Sequence, residues 1–334
     1  NVTGVQTCAL PICVAATEVV GDERHRLGKQ RVHISERNRR NRQQGENAAF
    51  TRSRHGASIL RVVNIQSPRI VVRRSGPLSG SVNVPGAKNS VLKLMAATLL
   101  AEGEYVLTNV PAITDVQKMS ETLNALGVTT DWLGPHELHL TNTGNITPEV
   151  PFEKFDKMRA SINVLGPLLT HYGSARINWP GGDNFGDRPI NLHVEGLQRM
   201  GATVDEGLLD IYAHAEQLKG TNIELKIPSV GATENLVTAA VYAKGVTVID
   251  NAAREPEVQD LCNMLVAMGA DIEGIGTSRL VVHGVKKGSL HSTRHAVIVD
   301  RVQAATYMAA VAVAGGDIVV RGARTEHMEE LLNC

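Results

Sequence analysis

A period of about seventy residues constrains this chain more than any other feature. Four segments share one pattern: a helix of small apolar residues, a glycine, a β-branched strand and a polar turn. They cover 96–107, 168–177, 239–249 and 309–320, around Gly103, Gly173, Gly245 and Gly316, which lie 70, 72 and 71 residues apart. A second helix follows each of the first three strands and closes on a recurring signature: Leu126-Gly127-Val128, Met200-Gly201-Ala202 and Met268-Gly269-Ala270. Glycine at that point ends a helix and turns the chain into the next strand. Such units predict an α/β fold of repeated helix and sheet layers. In the fourth copy the same spacing places the closing glycine at roughly position 340. The reading therefore expects a chain cut short inside a helix over 325–332.

One copy is longer than the others. The two glycines are 24 residues apart in the first and third units (103 to 127, 245 to 269) but 28 apart in the second (173 to 201). The extra length falls in Trp179-Pro-Gly-Gly-Asp-Asn-Phe-Gly-Asp-Arg-Pro-Ile-Asn-Leu192, between a strand over 175–179 and a helix over 192–200. A glycine-rich loop lengthened in one repeat is where a site would be grafted onto a scaffold. Asp183 suits proton transfer there, and Arg188 suits binding an anion.

Other junctions carry the same kind of chemistry. Pro85-Gly-Ala-Lys-Asn89 precedes an apolar helix over 91–100, where Lys88 and Asn89 beside free backbone N–H groups can hold a phosphate or carboxylate. Arg159, in Lys157-Met-Arg-Ala-Ser161, puts a second cation at a helix start, and Ile227-Pro-Ser-Val-Gly-Ala-Thr233 is a strand-to-helix turn with small polar groups. Pro256 opens a further helix, and Asp300 stands where it would cap one over 302–314.

Several classes are excluded. The chain has 34 basic and 34 acidic residues, but 22–56 alone hold ten Lys/Arg against four Asp/Glu. Residues 66–334 carry 23 basic and 29 acidic groups, a net charge of −6, which argues against a nucleic-acid surface. Four cysteines (Cys8, Cys13, Cys262, Cys334) give neither a disulfide framework nor a metal cluster, and the histidines lack metal-ligand spacing. No Gly-x-Gly-x-x-Gly suits a dinucleotide fold, and no apolar run reaches the roughly 18 residues of a membrane span. No cofactor or metal is expected, the location expected is cytoplasmic, and the oligomeric state stays open. Val2–Ile12 resembles the translation of a sequencing adapter, which implies a read-through artefact, and residues 1–65 are too polar for a core and are expected to be disordered.

Together the Gly-Ala-Lys-Asn, Met-Arg-Ala-Ser, Pro-Gly-Gly-x-x-x-Gly-x-Arg-Pro and Ser-Val-Gly-Ala-Thr motifs resemble the UDP-N-acetylglucosamine enolpyruvyl transferases (1-carboxyvinyltransferases), from about residue 70 to 332. The resemblance implies the two-domain inverse α/β barrel fold, three units per domain around a pseudo-threefold axis. It implies a first domain over 88–298, with 66–87 and 299–334 as parts of an incomplete second. The implied reaction transfers the enolpyruvyl group of phosphoenolpyruvate to the 3′-hydroxyl of UDP-N-acetylglucosamine, the first committed step of peptidoglycan biosynthesis. Carried over by position, Lys88 and Asn89 bind phosphoenolpyruvate, and Arg159 and Arg188 hold its charges. Arg188, Pro189, Ile190, Asn191 and Leu192, with Ser229 and Val230, line the sugar-nucleotide pocket. Asp183 stands where most relatives have the loop cysteine that fosfomycin attacks, so resistance is expected. Ile227 replaces a lysine found in many relatives. The family's aspartate base falls beyond Cys334, so this chain is expected not to turn over alone. The alternatives are a 5-enolpyruvylshikimate-3-phosphate synthase and a non-catalytic UDP-sugar-binding module.

Overall fold

The computed structural model describes residues 15–20, 69–74, 76–149, 159–179, 181 and 190–333. The chain divides into two compact units, one built on Gly80–Ala309 with 319–333, the other on 15–20, 69–74 and 76–79 with Ala310–Ile318. In the second, β1 (Ala15–Val20) and β2 (Arg69–Arg74) pair antiparallel, with Ala15 opposite Arg74. In this pair Thr17 stands opposite Val72 and Val19 opposite Ile70, and β-branched residues favour a pleated pair. The rest of 1–65, with the adapter-like segment, lies outside the described residues. β3 (Leu78–Asn83) follows and pairs with a late strand described below.

The larger unit is three copies of one motif. The first runs α1 (Lys88–Ala97), β4 (Gly103–Thr108), α2 (Thr114–Leu126), β5 (Val128–Gly134) and β6 (Glu137–Asn142). The second runs α3 (Leu165–Tyr172), entered through a 3₁₀ segment over Arg159–Val164, then β7 (Ser174–Asn178), α4 (Asn191–Arg199), β8 (Thr203–Glu206) and β9 (Asp210–His214). The third follows β10 (Asn222–Glu224) with α5 (Val230–Ala240), β11 (Val246–Asp250), α6 (Pro256–Ala267), β12 (Asp271–Glu273) and β13 (Arg279–His283). After β14 (Arg294–Ala296) come α7 (Arg301–Ala314), β15 (Gly316–Arg321), the partner of β3, a 3₁₀ turn over Thr325–His327 and α8 (Glu329–Leu332).

In every copy the strand after the inner helix pairs antiparallel with the second strand of the hairpin: β4 with β6, β7 with β9, β11 with β13. Its other edge receives a parallel neighbour from the copy before. Glu149 bridges Arg176 of β7, β10 pairs with β11, and β14 pairs with β4. The donations run from copy one to two, two to three and three back to one, which closes a ring of three and covers one edge of each sheet.

The repeat glycines do what their spacing predicts. Gly103, Gly127, Gly173, Gly201, Gly245, Gly269 and Gly316 all have positive φ, between 78° and 131°, a region that side chains with a Cβ rarely enter. Helices α1, α3 and α5 form the buried centre, and nine of the eleven residues of α5 are buried. Small residues let them pack closely. A Cβ on Gly166 would stand 2.4 Å from the Asn235 carbonyl oxygen, and one on Gly196 would stand 2.5 Å from Cδ2 of Leu236. Around this centre Leu94, Met95, Leu99, Tyr105, Met119, Leu123 and Leu140 are fully buried, an aliphatic core as the 3% aromatic content requires. Val84, Ala304 and Met328 form a smaller separate cluster.

Candidate active site

The predicted site residues stand at helix starts that carry no acidic residue in the first turn. α2 carries Asp115 and α6 carries Glu257 in the first turn, whereas α1, α4 and α5 carry no acid there. Neither Ala87 nor Ile190, the residues before α1 and α4, supplies a side-chain cap. Only Ser229 does, its Oγ accepting from the Ala232 N–H at a long 3.4 Å. The starts of α4 and α5 keep backbone N–H groups and positive dipole ends for an anion, whereas at α1 the Lys88 N–H already turns to the Asp300 carboxylate.

Lys88 and Asn89 are the first two residues of α1, both exposed. The Lys88 Nζ lies 3.1 Å from Asp115 Oδ2, with the two side chains 49% and 35% exposed. Such a surface pair is worth about 0–1 kcal/mol and yields easily to a ligand. The Lys88 N–H points at Asp300 Oδ2 at 3.4 Å, and Asp300 Oδ1 accepts from Val302 and Gln303 at 2.9 and 3.0 Å. Asp300 is therefore the expected N-cap of α7, and it also braces the first turn of α1.

Ile190, Asn191 and Leu192 open α4, and Ser229 and Val230 open α5. The structure brings these two starts together: a Cβ on Gly231 would stand 3.3 Å from Cε1 of the buried His193. Lys226 and Glu195 form an ion pair at 3.0 Å across the same junction. Ile227 is 62% exposed, an apolar side chain with no packing reason to be there. Arg159 opens the 3₁₀ segment that packs against α1 and α5. Its side chain, and Asp183, Arg188 and Pro189, lie outside the described residues.

Sequence reasoning missed the buried polar groups that hold these starts. Asn235 is one: its Nδ2 donates to the Ile162 carbonyl at 2.8 Å, and its Oδ1 accepts from Gly166 N–H at 2.6 Å. Asp260 of α6 is another. It accepts from Ser90 Oγ, from Ile298 N–H at 3.3 Å, and meets His295 Nε2 at 2.7 Å. Serine, histidine and aspartate together suggest a nucleophilic triad, but the carboxylate sits between the other two. The histidine cannot then take the serine proton, and the group is a clamp. A third is Glu257, held bidentately by Arg301 at 3.0 and 3.2 Å, which ties α6 to the start of α7. Buried, hydrogen-bonded carboxylates leave no amphipathic signature, so only distance in space reveals them.

Among the described residues no group of three or more His, Cys, Asp or Glu could hold a metal, and no helix is long and apolar enough to cross a membrane. The free thiol of Cys262 is buried, which pushes its pKa up to about 12 and makes it a poor nucleophile.

Comparison with known proteins agrees with this geometry. UDP-N-acetylglucosamine 1-carboxyvinyltransferase of Jannaschia sp. (strain CCS1) is 48% identical over 256 residues, 76% of this chain and 60% of the relative. The protein of that name from Corynebacterium jeikeium (strain K411) is 47% identical over 264 residues, 78% of this chain and 62% of the relative. The chain thus spans about three-fifths of the length of the curated relatives it matches. Among solved structures, the enolpyruvyl transferase NikO from Streptomyces tendae superposes with a TM-score of 0.62 at 23% identity, over 70% of this chain and 55% of that one. An EPSP synthase from Acinetobacter baumannii gives 0.60 at 20% identity, over 76% and 59%, and these two likenesses speak for the fold alone. The family model described as EPSP synthase (3-phosphoshikimate 1-carboxyvinyltransferase) matches residues 72–333, and with the ring of three α/β units this establishes that the chain belongs to the EPSP synthase family.

Proposed function

We propose that this chain is the larger part of an enzyme that transfers the enolpyruvyl group of phosphoenolpyruvate to the 3′-hydroxyl of UDP-N-acetylglucosamine, releasing phosphate, in the cytoplasmic start of peptidoglycan biosynthesis. The observation that carries this reading is the meeting of the α4 and α5 starts. The approach of Gly231 to His193 supports reading Ile190, Asn191 and Leu192 with Ser229 and Val230 as one binding wall made from two motifs about forty residues apart in sequence. The identity of nearly one half to two proteins named for this activity supports it. Shikimate 3-phosphate as acceptor fits less well, since the EPSP synthase it would follow is only 20% identical.

In the proposed chemistry the sugar hydroxyl oxygen adds to C2 of phosphoenolpyruvate while an acid protonates C3. Loss of a C3 proton and of phosphate from C2 then restores the double bond. Asp183 is the acid, which asks that partial burial raise its pKa against the opposing pull of Arg188. Lys88, Asn89, Arg159 and Arg188 hold the phosphate and carboxylate charge that develops. The base for the hydroxyl is assigned by resemblance to an aspartate in the part of the relatives' length that this chain does not span.

A thermal-shift series tests the acceptor. UDP-N-acetylglucosamine at 100 times its Kd would stabilise the chain by about 2.7 kcal/mol, and shikimate 3-phosphate would leave the melting temperature unchanged. The reverse ranking overturns the reading.

A further inference from the structure

The buried charges of the molecule include one pair that the proposed chemistry does not use. Glu234, in the second turn of α5, is 1% exposed, and neither carboxylate oxygen accepts a hydrogen bond of good geometry. What faces it is the ammonium of Lys93 from α1, 3.4 Å from Oε2 and only 12% exposed. The same ammonium donates to the backbone carbonyl of Asn89 one turn earlier. Lys93 therefore links the turn of α1 that bears Lys88 and Asn89 to a carboxylate on α5, five residues past Ser229. Each end of the link lies within two helical turns of its own helix start, about 8 Å along the axis at 1.5 Å per residue.

Resting on the proposed function, we propose that Lys93 and Glu234 are a positioning pair that indexes the phosphoenolpyruvate-binding turn of α1 to the sugar-nucleotide wall at the start of α5. Neither touches substrate. An ordinary packing contact would serve helix cohesion as well, and replacing a buried ion pair by apolar groups is often neutral or stabilising. What a charge link adds is a fixed register between two helix starts. Register is what a two-substrate reaction needs when a small misplacement of one partner slows it by orders of magnitude.

The link also responds to proton concentration. Burial raises the Glu234 pKa to about 7, opposed by Lys93. The groups facing it besides Lys93 are Glu257 and Glu255 from the start of α6, which raise it further, and the neutral Cys262 thiol of α6. From α4, His193 meets the neighbouring Asn235. Glu257 is itself matched by Arg301. Above neutrality the carboxylate is charged and holds Lys93; below, it is neutral and the register loosens.

Amide hydrogen exchange followed by mass spectrometry on the whole chain reads this directly, without any ligand. In the wild type, exchange across 89–94, corrected for the intrinsic rate, speeds up several-fold as pH falls from 8 to 6. Glu234→Gln and Lys93→Met are fast at both pH values, Lys93→Arg keeps the slow rate at pH 8, and α6 peptides stay unchanged in all. Equal protection across 89–94 in wild type and Glu234→Gln at pH 8, or a wild-type profile flat in pH, overturns the pair's role. Failure of UDP-N-acetylglucosamine to bind the wild type would instead strike the functional reading, which this exchange measurement does not use.

Discussion

The imidazole Nδ1 of His193 stands 3.1 Å from the side-chain nitrogen of Asn235, both residues buried. An amide nitrogen only donates, so Nδ1 accepts and the ring proton lies on Nε2, the edge that faces Gly231. One asparagine thereby ties α4, the 3₁₀ segment and α3 to α5, because its two remaining bonds go to the Ile162 carbonyl and the Gly166 N–H.

Asn235→Ala leaves three buried polar groups without their partner. At about 1–3 kcal/mol for each such group, reduced by local relaxation, the loss in stability is on the order of 3–5 kcal/mol. Chemical denaturation should show the midpoint falling with little change in slope. A change under 1 kcal/mol would mean that the amide is not the junction described.

Glu234 gives a sign that separates two views of a buried ion pair. Its pKa rises from 4.5 to about 7 on folding, so between those values the folded chain keeps a proton that the unfolded chain has lost. Its contribution to stability is complete below about pH 4.5 and is lost as pH rises to about 7. Glu234→Gln, always neutral, should therefore melt close to wild type near pH 5. At pH 8 it should be more stable, by on the order of 3 kcal/mol at most. A variant less stable than wild type at pH 8 would mean that the pair is a net stabiliser.

The family resemblance implies that fosfomycin attacks a thiolate at the loop position, where this chain has Asp183. Cys262 offers none, being buried with a thiol pKa of about 12. After incubation with the drug, peptide mass spectrometry should find Asp183 and Cys262 unmodified. An adduct on either residue would contradict this account.

The frame of the fold was legible because glycine at positive φ is a local necessity. Gly103, Gly173 and Gly245 mark the units, and Gly127, Gly201 and Gly269 mark where their outer helices end. The ring was implied by the family resemblance and not by any local pattern. The segments that pass between units are a single bridge at Glu149 and the three-residue strands β10 and β14, too short to carry a pattern. The helix expected over 325–332 breaks at Met328, whose φ of −134° separates a 3₁₀ turn from a four-residue helix. At the site, Lys88, Asn89, Ser229 and Val230 could be named from motifs. Lys93 and Glu234, 141 residues apart, read as ordinary helix charges until the fold brings them to 3.4 Å.

The central claim is that the joined starts of α4 and α5 form a sugar-nucleotide site. Calorimetric titration of UDP-N-acetylglucosamine into the chain, beside Arg188→Ala, tests it most directly. The account predicts saturable one-to-one binding that the substitution weakens by at least about tenfold, the loss of one charge-assisted hydrogen bond of about 1.5–3 kcal/mol. A chain that is folded by circular dichroism and takes up no UDP-N-acetylglucosamine, or binds it equally well without Arg188, would contradict it.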